Sequence, residues 1–184
     1  MALFGPPPLI VGENSADYDE LLAHISAAVK PSDVLEEIWV RDVADLVWET
    51  FRLRRHKPSL LAANASKGLK IVLASFMDSD EAENLAACWL VRQRSAVKEV
   101  DKLLASAGLT MDAVMAQTLS TMIDDVERID RMIMTMEARR NAALREIDRH
   151  RGSLGQLLRR AVQQAEDAEF EVIAPNSITH GDAA

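Results

Sequence analysis

The chain has 184 residues and a formal net charge of −8, with 48% hydrophobic, 27% charged and only 4% aromatic residues. That composition suits one domain or two small ones with an apolar core and a helical bias, and the acidic balance disfavours bulk nonspecific binding to nucleic acid. No run approaches the ~20 apolar residues of a membrane span, no secretion-signal pattern opens the chain, and the lone Cys88 excludes an internal disulfide, so a cytoplasmic location is expected.

Residues 1–12 contain Pro6-Pro7-Pro8 and no helical period, which predicts a flexible extended arm. An N-terminal helical part is expected over 13–76. Asn14 or Ser15 caps a first helix whose Tyr18, Leu21, Leu22, Ile25 and Val29 share helical spacing, and Pro31 ends it. Ser32 or Asp33 caps a second helix, Val34 to Lys57, with Asp33 and Glu36 at capping-box spacing. Its Leu35, Trp39, Val40, Val43, Leu46, Val47, Phe51 and Leu53 are expected to form one broad buried face. Arg52, Arg54, Arg55 and Lys57 complement the helix dipole at its end, and Pro58 forces a turn or starts the next helix. Short helices divided at Gly68 follow, to Phe76.

Residues 77–170 are predicted to form a long, coiled-coil-like antiparallel hairpin. Its first arm runs from about Asp80 to Ala107, with Ala86, Trp89, Ala96, Val100 and Leu103 on one stripe, and stops at Gly108. Thr110 caps the second arm, in which Met115, Leu119, Met122, Val126, Ile129, Ile133 and Met136, then Ala143, Ile147, Leu154, Leu157 and Ala161, return at alternating steps of four and three. Folding back at Gly108 sets Leu103 near Met115, Val100 near Leu119 and Trp89 near Ile129. A helix of about 60 residues would run roughly 90 Å, against a radius of gyration of ~16 Å for a compact chain of this length. It must break, project or find a partner, and Gly152, Ser153 and Gly155 are the expected break. Residues beyond Met136 are expected to be covered by Val34 to Lys57 of the same chain. The period is lost after Phe170, which predicts a disordered tail over 171–184.

Arg139, Arg140, Arg145, Arg149, Arg151, Arg159 and Arg160 stand against only Glu146 and Asp148 in that stretch. Arginines so spaced can track phosphates; they can equally pair with Glu13, Asp17, Asp19, Glu20, Asp33, Glu36 and Glu37 of the N-terminal part. The candidate nucleic-acid-binding residues are Arg139, Arg145, Arg149, Arg159 and Arg160. Arg140 and His150 fall on the apolar seam, where polar residues set register or partner. No Gly-rich phosphate loop, metal-ligand spacing or nucleophile–base pattern is present, so no catalytic residue, cofactor, metal or small-molecule ligand is expected.

The stretches GENSADYDELL and DVLEEIWVRDVADLVWETFRLRRHK (Asp33 to Lys57), with IDRMIMTMEARRNAALREIDRHR (Ile129 to Arg151), resemble a family of uncharacterised bacterial proteins often encoded near transposon-related genes. The resemblance implies a bacterial origin and brings no established activity. The expected whole is an all-α bundle that acts as a non-enzymatic interaction or scaffold protein through a protein partner or self-association. The alternative is an accessory DNA-binding protein of a mobile element that uses the Arg139 to Arg160 face.

Overall fold

Helix α1 (Ser15–Val29) begins where Asn14 is extended and its side-chain oxygen accepts from the Ala16 N–H at 3.1 Å. It ends at Lys30, whose left-handed backbone (φ 51°) turns its N–H to the Ser26 carbonyl, and Pro31 cannot prolong the helix. Asp33 then starts α2 (Val34–Ala63), accepting from the N–H groups of Leu35 and Glu36. The Glu36 carboxylate reaches back to the Ser32 N–H, one residue beyond the usual capping-box partner. The computed structural model describes residues 5–172, with side chains placed as far as Ala165; the ends of the expected arm and tail, 1–4 and 173–184, lie outside the described residues.

Pro58 does not end α2. The proline forgoes its own backbone hydrogen bond, yet the helix continues to Ala63 because Leu60 and Leu61 are drawn partly inside and Asn64 closes the final turn. Nor does Gly68 divide the next segment: it sits within α3 (Ala65–Leu73), and the break falls before it, at Asn64. The expected first arm of the hairpin is two helices, α4 (Ser79–Leu90) and α5 (Arg94–Ser106). Between them Arg92 adopts φ 58°, its N–H bonded to the Trp89 carbonyl and the Gln93 N–H to that of Cys88. Gly108 (φ 68°) closes α5 with the same pair of bonds, from Gly108 to Ala105 and from Leu109 to Leu104. Thr110 caps α6 (Met111–Thr121) as expected. A one-residue offset at Met122 separates it from α7 (Ile123–Val172), which passes Gly152 and Gly155 unbroken.

The architecture is all-α, a helical bundle, with no strand among the described residues. Its pairing departs from the expected hairpin: α6 lies on α3 and α7 lies along α2. Ala86, Trp89, Ala96 and Val100 are buried with Ala65, Leu69, Leu73 and Val114, in a core shared by α3, α4, α5 and α6. Opposite Ile129 and Ile133 stands α2, where Lys57 bonds Asp130 at 2.8 Å and Arg54 bonds Glu137 at 2.7 Å. Near the other end Glu36 meets Arg151, so the two helices are antiparallel. The expectation that Val34 to Lys57 covers the seam within one chain is met as far as Arg151, with Val40, Val43, Leu46, Leu53 and Ile147 buried, whereas Leu154 and Leu157, expected under the same cover, and Leu35 and Phe51, expected on the covering face, stay exposed. Apolar stripes of equal period are interchangeable as packing partners, because burial is favourable without direction.

Candidate interaction surface on the long helix

Two clusters of ion pairs organise the N-terminal half. Glu13 lies just before α1 with its side chain 7% exposed, and it gathers Arg52 (2.7 and 2.9 Å), Arg55 (2.9 Å), the Trp48 indole N–H (2.9 Å) and the Ile10 N–H (3.2 Å). The Arg52 hydrogen bond holds its carboxyl down to about 2, against the opposing pull of burial. Arg52 also donates to the Pro8 carbonyl, and Arg41 to that of Gly5. From Gly5 the arm is therefore docked along α2, with no helix before Ser15 among the described residues.

The second cluster is built on Glu36, fully buried in the first turn of α2. Arg151 of α7 grips it with two parallel bonds of 2.8 Å, and the Ser32 N–H adds a third at 2.9 Å. The same guanidinium donates at 2.7 Å to the Val29 carbonyl, one of the acceptors left free at the end of α1. One arginine thus ties three helices together. Its hydrogen bonds hold the Glu36 carboxyl at about 2 despite burial. Beside it His150 meets Asp33 at 2.7 Å and lies edge-on to Trp39, with ring centres 5.4 Å apart. The helix-start N–H of Glu36, and then His150, lower the Asp33 carboxyl.

Of the two seam residues, His150 contacts Asp33 at the start of α2, whereas Arg140 turns to its neighbour Asn141 (3.1 Å). Arg139 lines an open cleft of about 540 Å³ with Asp42, Asp45, Leu46 and Met136. Burial raises the Asp42 carboxyl, helped by Asp45 and opposed by Arg139. Arg149 bonds Glu146 of its own helix at 3.0 Å, while Arg145, Arg159 and Arg160 are exposed and make no ion pair among the described residues. At 3.6 residues per turn, Arg145, Arg149 and Arg159 point away from the stripe of Ile147 and His150, with Arg160 at its edge. Pairing with the N-terminal acids therefore engages Arg151 directly, while most of the candidate arginines remain on an outer face.

Sequence reasoning allows the Glu36–Arg151 pair among other acid–arginine pairings without singling it out. Its signal is an acid four residues before Val40 and seven before Val43, on a stripe otherwise apolar. Beyond Arg151 the cover ends. Leu154, Leu157, Leu158 and Val162 are 42%, 61%, 59% and 56% exposed on a helix that outruns the start of α2, whereas Ile147, about two turns before Leu154, is 3% exposed. Among the described residues no helix is long and apolar enough to cross a membrane, and no group of three or more His, Cys, Asp or Glu could hold a metal. No protein-family model, curated protein or solved structure matches the chain significantly.

Proposed function

We propose that the protein is a non-enzymatic, cytoplasmic interaction or scaffold protein whose binding element is the projecting end of α7. The observation that carries this reading is the uncovered continuation of the seam, Leu154, Leu157, Leu158 and Val162, held out by the Arg151 clamp at its base. Exposed apolar stripes of this kind mark interaction surfaces. A photo-crosslinking residue at position 157 of the full chain should capture protein in cells, whereas one at 148, on the outer face, should not. Absence of any crosslink from 157, in cells and in the purified chain alike, would sink the reading.

The second reading, a DNA-binding accessory of a mobile element, draws on the outward Arg145, Arg149 and Arg159. It requires duplex affinity that falls steeply with salt and is lost in Arg145→Gln/Arg149→Gln. Salt-insensitive or undetectable binding would remove it.

A further inference from the structure

We propose that the projecting end of α7 docks, antiparallel, on the same segment of a second copy of this chain. The inference rests on the preceding reading and names the partner. From Ser153 to Val172 the helix runs 20 residues, about 30 Å at ~1.5 Å per residue, past the end of its intrachain cover. The stripe that buries Ile147 against α2 continues there as Leu154, Leu157, Leu158, Ala161 and Ala165. An antiparallel helix already sits on this stripe lower down, where α2 lies against it. The docked copy repeats that geometry one length further along. At the foot of the segment Val34 and Leu35, in the first turn of α2, are 49% and 48% exposed and enlarge the apolar area.

Charge selects both the partner and its direction. In sequence, residues 151–160 hold three arginines and no acid, while 161–172 hold Glu166, Asp167, Glu169 and Glu171 and no base. A parallel pair would stack like on like. An antiparallel twofold lays the basic half of each copy on the acidic half of the other, the self-complementarity that a symmetric dimer needs. Arg160 and Asp167 are seven residues, one heptad, apart in sequence. A twofold axis midway between the two brings position 160 of each copy level with position 167 of the other. Nucleic acid has no reason to occupy this stripe, since the outward arginines lie on the other side of the helix. A contact some 30 Å long is at the small end of specific interfaces, so the dimer should form and dissociate with concentration.

Sedimentation equilibrium of the full chain over a dilution series reads the proposal directly. The wild type should pass from dimer to monomer on dilution, and Leu157→Asp/Leu158→Asp should weaken association about tenfold or more with unchanged helical circular dichroism. The direction is read by charge reversal. Arg159→Glu/Arg160→Glu and Glu166→Arg/Asp167→Arg should each weaken self-association, and mixing the two should restore a heterodimer, because like charges in each become opposite pairs between them. A chain that stays monomeric at its highest soluble concentration overturns the proposal. So do charge-reversed variants that dimerise as well as the wild type, or a mixture that shows no rescue. If position 157 crosslinks a different protein while the pure chain is monomeric, self-docking is wrong and the interaction reading stands. If it crosslinks nothing, both are wrong.

Discussion

Glu36 is the residue on which the N-terminal half turns, because a carboxylate with no exposed surface is tolerable only when its charge is matched. Its pKa and that of Glu13 are lowered from the usual 4.5 to about 2. For a group whose folded pKa is depressed, the unfolded chain takes up protons first, so the stabilisation is complete above about 4.5 and is lost as pH falls towards 2. Urea denaturation at a series of pH values should show stability declining through that window. Glu13→Gln and Glu36→Gln should each lower stability at neutral pH and flatten the decline. An undiminished acid decline in the double variant would assign it to other carboxylates. Gly68 makes a different demand. A Cβ there would lie 2.6 Å from the Val114 carbonyl oxygen and 2.7 Å from the Thr118 nitrogen, both backbone atoms that cannot step aside. Gly68→Ala gains ~1 kcal/mol of helix propensity, yet overpacking of this kind costs ~1–3 kcal/mol. The net effect should be a lower thermal midpoint by differential scanning calorimetry, with α3 pushed off α6; a raised midpoint would mean that the two helices separate freely.

At the scale of elements, the two left-handed helix ends around α5 differ in chemistry. Gly108 adopts φ 68° at no steric cost, whereas Arg92 holds φ 58° with a full side chain and retains its guanidinium over the Trp89 ring at 5.5 Å. The left-handed conformation costs an L-residue ~1–2 kcal/mol, and an exposed cation–π contact returns ~0.5–1 kcal/mol. Arg92→Gly should therefore be neutral or stabilising by up to about 1 kcal/mol, and Gly108→Ala destabilising by ~1 kcal/mol or more. Urea midpoints of the two variants check this, and a reversed order would show that the α4–α5 corner depends on Arg92 in some other way. The corner matters because it turns α5 back towards α4 and lets Trp89 and Val100 enter one core with α3.

At the scale of the molecule, α2 and α7 are the long members that carry everything else. On one side α1 and the docked arm lie against α2; towards the other end α3 to α6 gather around Leu69, Leu73, Val100 and Val114. The end of α7 beyond the Arg151 clamp belongs to neither group. Removing residues 154–184 should leave the unfolding free energy of the monomer within ~0.5 kcal/mol, as for surface changes away from packed groups. Chemical denaturation at high dilution measures this, and a large loss would place the segment inside the fold.

The helical class and much of the punctuation are legible in the amino-acid sequence. Asn14, Asp33, Thr110 and Gly108 act where their local chemistry says they should, because caps and left-handed stops are decided within a few residues. The covering of α7 by α2 is legible too, from matching lengths and from acids facing arginines. That α6 lies on α3 rather than on the preceding arm emerges only in the folded molecule, since stripes of the same period do not name their partners. Folding also makes Gly68 a contact point instead of the expected break, keeps α2 intact through Pro58, and fastens the arm at Glu13. Each of these depends on atoms that are distant in sequence, as with Glu36 and Arg151 at the candidate site, separated by 115 positions and joined by two hydrogen bonds of 2.8 Å. Local propensity is weak beside burial and paired charge. Both of those need neighbours that a linear chain does not yet have, and the fold brings them together.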